Sequence, residues 1–236
     1  MRGVTTAGKS GGWSVRGMID RERIRAMTVD VNDGIIATAG IVEGFSGAGA
    51  GLITLIIAAV SAMIAGTLAL AGAKYAEAAG DRDAELALIE EERRQLALSP
   101  QEEFAELVEH YRAQGLSDGL ARQVAGQLTA QDALGAHLRA EHGLSETNFT
   151  RPTPVALIAG VCFAVGSGVP LLAILIVPAD ARALWTLIVV STALVITSVV
   201  AARSARVSVA RTVSRAVGIG LGTMLLTLGV GYLIAF

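Results

Sequence analysis

The chain has 236 residues, 53% apolar, 17% charged and 4% aromatic, with a mean hydropathy of +0.57. Soluble domains carry roughly 25% charge, so this composition argues against a water-soluble enzyme and for an all-α membrane protein. The formal net charge of −2 argues against a nucleic-acid partner, and the single Cys162 excludes an internal disulfide or a multi-cysteine zinc site.

Charge falls in blocks. Residues 1–26 hold Arg2, Lys9, Arg16, Arg21, Arg23 and Arg25 and read as a disordered, basic arm with no secretory signal. From Gly34 to Ala73 the only charged residue is Glu43, and Gly44–Gly51 (GFSGAGAG) breaks this stretch. It splits into spans of about 29–48 and 52–74, since about 20 apolar residues cross a hydrocarbon core. Further uncharged runs, 153–179, 183–202 and 216–236, each suit one span. Five spans result, grouped as 27–75 and 151–236 around an insert of 76–150. Arg203, Arg206, Arg211 and Arg215 separate the last two spans. Both basic clusters become cytoplasmic if the N-terminus is inside and the C-terminus outside. The arginines of 203–215 read as a topology signal, or as a site for anionic lipid or a partner.

Ionisable side chains within a span are costly and often line a pathway. The first span carries Asp30, Asp33 and Glu43. Glu43 lies about 15 Å beyond Asp33 along a helix, and about 80° around it, so the two are candidates to border one cavity. The alternative is a Glu43 hydrated at the outer surface beside the glycine turn. Lys74 and Glu77 end the second span, where they can pair with Asp30 or Asp33. The glycines of the last three spans, Gly160, Gly166, Gly168, Gly218, Gly220, Gly222, Gly229 and Gly231, are expected to permit close helix packing.

Residues 80–150 hold 14 of the 21 acids against six arginines, a net charge near −8, and all three histidines. Helix 76–96 continues from the second span. Ser99-Pro100-Gln101-Glu102 starts a second helix with a capping box, ending at Gly115. Ser117 starts a third, and Thr129 caps a fourth that stops at Gly143. Leu107, Leu116, Leu120, Val124, Leu128, Leu134 and Leu138 are its expected core. Glu103, Glu106 and His110 share one helical face, Glu102, Glu106 and Glu109 an overlapping one, and His137 and Glu141 are one turn apart. Carboxylates with imidazole suit divalent first-row ions, although on spacing alone a solvated acidic face is the commoner outcome for such a segment. No nucleophile–base pair or phosphate loop marks an enzyme, and no prosthetic group is expected.

The order of parts, with NDGIIATAG (Asn32–Gly40), GFSGAGAG, AGTLALAGAKYAEAAGDRDAE (Ala65–Glu85), EERRQLALSPQEEFAELVEHYRAQGLS and LTAQDALGAHLRAEHGL, resembles the vacuolar iron transporter (VIT) family over residues 24–236. The resemblance implies a homodimeric, proton-coupled carrier in the cell (plasma or inner) membrane. It would move Fe²⁺ or Mn²⁺ out of the cytoplasm between two copies, with the insert capturing metal, Zn²⁺ included. By the same resemblance Asp33 matches the intramembrane aspartate; Glu43 is extra to the family pattern and is the second expected pathway residue. Glu92, Glu103, Glu106 and Glu141 match insert ligands, with Glu102 and His110 as further candidates, and His137 stands where plant members have methionine. Leu70 and Lys74 replace a methionine and a glutamate of the pattern, Gln95 an insert glutamate, and Ala62 falls near another. These departures raise an alternative: a non-transporting membrane metal sensor or scaffold that keeps the cytoplasmic site and has lost pore ligands.

Overall fold

The computed structural model describes residues 15–144, 150–178 and 181–235. Seven helices account for most of them: α1 Val15–Gly47, α2 Leu52–Leu98, α3 Pro100–Ala113, α4 Asp118–Glu141, α5 Pro152–Ile176, α6 Arg182–Ala205 and α7 Val209–Ile234. The expected N-terminal arm is helical from Val15 onward, and its residues 1–14 lie outside the described residues. Helix α7 likewise starts earlier than its uncharged run, taking Arg211 and Arg215 into its first turns.

Two compact units divide the chain. The first comprises residues up to Ala71 together with Leu157 onward, and the second comprises Gly72–Ala156. Helices α2, α5, α6 and α7 are each long and apolar enough to cross a membrane, which makes this a multi-pass membrane protein. The most apolar stretch of α1 holds Asp30, Asp33 and Glu43, and α1 is not among those four.

In the first unit α1 packs against α5, α6 and α7. Ile35 and Ala39 meet Val190, Leu194 and Met224, while Val42 meets Leu55, Ala59 and Ile174. Thr197 Oγ1 donates to Asn32 Oδ1 at 2.6 Å, and Ser167 Oγ to the Gly34 carbonyl at 3.3 Å. The pairings fix helix directions. Asn32 beside Thr197 and Ile36 beside Gly220 and Leu194 set α6 antiparallel to α1. Gly40 beside Thr223 and Gly47 beside Leu228 set α7 parallel to it. Gly34 beside Phe163, with Val42 and Ile174 in one buried cluster, sets α5 parallel to α1, while Gly66 beside Phe163, with Leu55 in the same cluster as Ile174, sets α2 antiparallel to α5. Within the first unit, α1, α2, α5, α6 and α7 therefore alternate in direction.

Glycine permits the closest of these approaches. A Cβ at Gly166 would collide with the Val31 carbonyl of α1, and one at Gly231 with the Gly44 carbonyl. The expectation of packing holds at Gly160, Gly166, Gly220 and Gly231, whereas Gly168, Gly218, Gly222 and Gly229 have open space where a Cβ would lie.

In the second unit, α3 and α4 close on Leu107, Val108, Ala121, Ala125 and Ala136, flanked by Phe104, Tyr111, Leu116 and Leu128. Leu120, expected in this core, is 49% exposed, because alanines 121 and 125 face α3 instead. Pro100 opens α3 as expected, but the Ser99 side chain makes no cap bond, so the capping box does not form. Gly115, at φ +98°, stops α3, and the amides of Gly115 and Leu116 return to the carbonyls of Arg112 and Tyr111. The break expected at Thr129 comes at Asp132, whose backbone is extended (φ −165°, ψ 88°) and whose Oδ1 accepts from Gly135 N–H at 2.9 Å. A carboxylate three residues before a free amide is the better N-cap, and the Thr129 hydroxyl is buried with no hydrogen-bond partner among the described residues.

Candidate metal centre

The second unit brings four chemically suited side chains together from three helices. Glu92 comes from α2, Glu103 from α3, and His137 and Glu141 from the part of α4 that Asp132 caps. Each offers one ligand atom, and the four atoms lie within 4.8 Å of one another. Ligands at about 2.0–2.2 Å from a central ion stand at most about 4.4 Å apart, so a small contraction would close this set on a cation.

His137 is the hub. Its Nδ1 is 3.1 Å from Glu92 Oε1, 3.1 Å from Glu141 Oε1 and 3.6 Å from Glu103 Oε2. Its hydrogen bond goes to Glu141, and Glu92 Oε1 and Glu103 Oε2 are buried without a hydrogen-bond partner among the described residues. One ring nitrogen serves one acceptor, and three carboxylates converge on it. The surroundings are dry: His137 is fully buried, Glu92 is 2% exposed and Glu103 6%. Burial pushes both glutamates above the ordinary carboxyl range. Glu141 adds to the rise at Glu92, and Glu106 to that at Glu103.

Helix periodicity explains the selection. Glu103 and Leu107 are one turn apart, so burying the apolar face of α3 carries Glu103 inward. Glu106 and Glu102 remain exposed on its flanks. Glu106 acts on Glu92 and Glu103 through its charge but stands outside the four-atom group. His110 also lies outside it, with its ring nitrogen 2.7 Å from Gln114 Nε2 and its edge on Tyr111. The expected Glu103–Glu106–His110 face is therefore divided, and only Glu103 enters.

His142 was not singled out from the sequence, yet its Nε2 is 4.0 Å from Glu92 Oε2. Its signal was weak: it follows the last helical residue and is in register with no other ligand. His142 also lines a cavity of about 350 Å³ with Asp81, Glu85, Leu88, Leu144 and Thr150, where Glu85 accepts from Thr150 N–H and Oγ1–H.

The two pathway candidates of the first unit sit in different surroundings. Asp33 is exposed on a stripe of α1 with Val29, Ala37, Ile41 and Phe45, whereas Glu43 is 1% exposed and follows Ile35 and Ala39 into the packed interior. Nor is Glu43 hydrated at a surface. Lys74 pairs with Glu77 at 2.7 Å.

Comparison with known proteins bears on the whole chain. The profile of the VIT family matches residues 24–232. The chain is 33% identical over 149 residues to a vacuolar iron transporter of Acanthamoeba castellanii, covering 63% of this chain and 54% of that protein. It is 26% identical over 174 residues to vacuolar iron transporter 2 of Oryza sativa subsp. japonica, covering 73% and 71%. It is 24% identical over 159 residues to vacuolar iron transporter 1 of Arabidopsis thaliana, covering 66% and 64%. The chain thus spans about half the length of the Acanthamoeba relative. With the profile covering nearly all of the sequence, the chain belongs to the VIT family.

Proposed function

We propose that the protein is a transporter that moves a divalent transition-metal ion, Fe²⁺ or Mn²⁺, out of the cytoplasm in exchange for protons. The convergence of Glu92, Glu103 and Glu141 on one buried nitrogen of His137 carries this reading. Such a donor set suits divalent ions of the first row, Zn²⁺ included, and metal binding there displaces protons. The second unit is the cytoplasmic capture site. The names of the relatives, all vacuolar iron transporters, support metal as the cargo.

In this reading α1 is a fifth span beside α2, α5, α6 and α7, and the alternating helix directions favour it. Asn32 beside Thr197 aligns the start of the first span with the α6–α7 arginines, as a cytoplasmic N-terminus requires. Val29, Ile41 and Phe45 form an exposed apolar stripe on α1 that a second copy would cover, which favours a homodimer. Asp33 is then the intramembrane metal ligand. The alternative, a metal sensor without transport, is favoured by Leu70, which has no donor atom, and by Lys74, an ammonium where the family pattern has a carboxylate.

The test is Mn²⁺ and Fe²⁺ uptake into proteoliposomes with internal pH read simultaneously. The wild type is expected to move metal with opposed proton movement, and Asp33→Ala to abolish it. Metal binding without flux would favour the sensor, and unchanged flux in Asp33→Ala would sink the assignment of Asp33.

A further inference from the structure

We infer that Glu43 is a proton-binding site inside the protomer, separate from the α1 stripe that bears Asp33; the inference rests on the transport reading above. Both Glu43 oxygens are buried and neither has a hydrogen-bond partner among the described residues. An ionised carboxylate so placed has lost its hydration and gained nothing in return, so the group is held as the neutral acid.

Among the described residues no cation is paired with it. On α1 the other acids are Asp20, Glu22, Asp30 and Asp33 and the cations are Arg16, Arg21, Arg23 and Arg25, all ten or more residues N-terminal of Glu43. Residues 52–73 of α2, 152–178 of α5, 183–202 of α6 and 216–235 of α7 carry no charged side chain. Cys162 of α5 and Tyr232 of α7 are the remaining titratable groups there, and Tyr232 is 57% exposed. Arg182 opens α6. Asn32 pairs with Thr197, and equal rise along antiparallel helices puts Glu43 level with Thr186 and Arg182 one turn beyond it. The Arg182 Nε is itself buried without a partner, and no ion pair joins Arg182 to Glu43 among the described residues.

Glu43 thus differs from Asp33 in kind. A metal ion needs several donors, and Glu43 has packed helix around it, whereas a proton needs one oxygen. Metal follows the Asp33 face, and the exchanged proton is taken up and released at Glu43 within each copy. Thr38, also fully buried with an unpartnered hydroxyl on α1, lies between the levels of Asp33 and Glu43.

The experiment uses the full chain in proteoliposomes. A hydrophobic carbodiimide adds a protonated carboxyl across its C=N bond, and acyl transfer then leaves a stable N-acylurea with no leaving group. Mass spectrometry of the wild type is expected to find that adduct at Glu43, with loss of the adduct in Glu43→Gln. Glu43→Gln is also expected to lose pH-gradient-driven Mn²⁺ uptake while retaining Mn²⁺–Mn²⁺ exchange between vesicles loaded on both sides. Absence of the wild-type adduct at Glu43 overturns the inference. So does pH-driven uptake unchanged in Glu43→Gln, and so does loss of exchange together with uptake, which would give Glu43 a role beyond the proton. A wild type that moves no metal at all defeats the transport reading instead, and the adduct still decides whether Glu43 holds a proton.

Discussion

Replacing Glu103 by glutamine should stabilise the second unit without metal and weaken metal binding, two effects of opposite sign from one change. Glu103 lies with Glu92 and Glu141 in a group whose ligand atoms fall within 4.8 Å. Two unit charges that far apart repel by about 3.5 kcal/mol at an effective dielectric of about 20. Glu103→Gln removes two such pairs and the cost of burying the charge. Screening and partial protonation reduce the gain to about 1–2 kcal/mol. The hydrogen bond of His137 goes to Glu141, so it survives the change. Amide hydrogen exchange over residues 100–141 of the detergent-solubilised protein reads the outcome. In chelator the variant should exchange about 5- to 30-fold more slowly than the wild type. With Mn²⁺ the order should invert, because losing a charged ligand costs about 2–4 kcal/mol, or about 30- to 900-fold in Kd. Faster exchange of the variant in chelator would refute the reasoning. Glu103 would then be a structural partner of His137 rather than a donor whose charge awaits a cation.

The pH dependence of the same region should reverse with metal. Burial raises Glu92 and Glu103 above the ordinary value of 4.5, so the folded state binds more protons than the unfolded one just above that pH. Without metal, protection therefore falls as pH rises through that window, while calorimetric Mn²⁺ affinity rises, since the ligands must be deprotonated. Asp132→Ala, which removes the cap on Gly135, should cost about 0.5–2 kcal/mol, seen as faster exchange confined to residues 133–141. In the first unit Gly166→Ala should cost about 1–3 kcal/mol in thermal unfolding, because the new methyl meets backbone of α1. Gly222→Ala meets nothing and should be neutral or stabilising by up to about 1 kcal/mol.

Much of this was legible in sequence because charge and apolarity separate so cleanly along the chain. The glycine break at 44–51, Pro100 and Gly115 each mark an element boundary that the structure keeps. The site was half legible. His137 and Glu141 are one turn apart on one helix, but helical spacing on α3 could not rank Glu103 above Glu106 or His110. That choice depends on which face meets the alanines of α4, which is tertiary information. The same holds for Thr129 against Asp132, where both residues can cap and only the packed backbone selects. Glu43 and Asp33 show the limit most plainly: their angular separation of about 80° on α1 was compatible with one cavity, and packing put one inside the protomer and the other outside.

The backbone approaches along α1 constrain how this protein can change over generations. Where Gly34 meets Phe163, Gly166 meets Val31 and Gly231 meets Gly44, no side chain stands between the helices to be exchanged for a similar one. Every available replacement is larger, and a neighbouring helix cannot retreat without also leaving its other contacts. Those positions are closed to gradual drift. The carboxylates of the second unit, by contrast, end flexible side chains for which replacements of similar size exist. Change at those carboxylates is therefore free to proceed while the frame around α1 stays as it is.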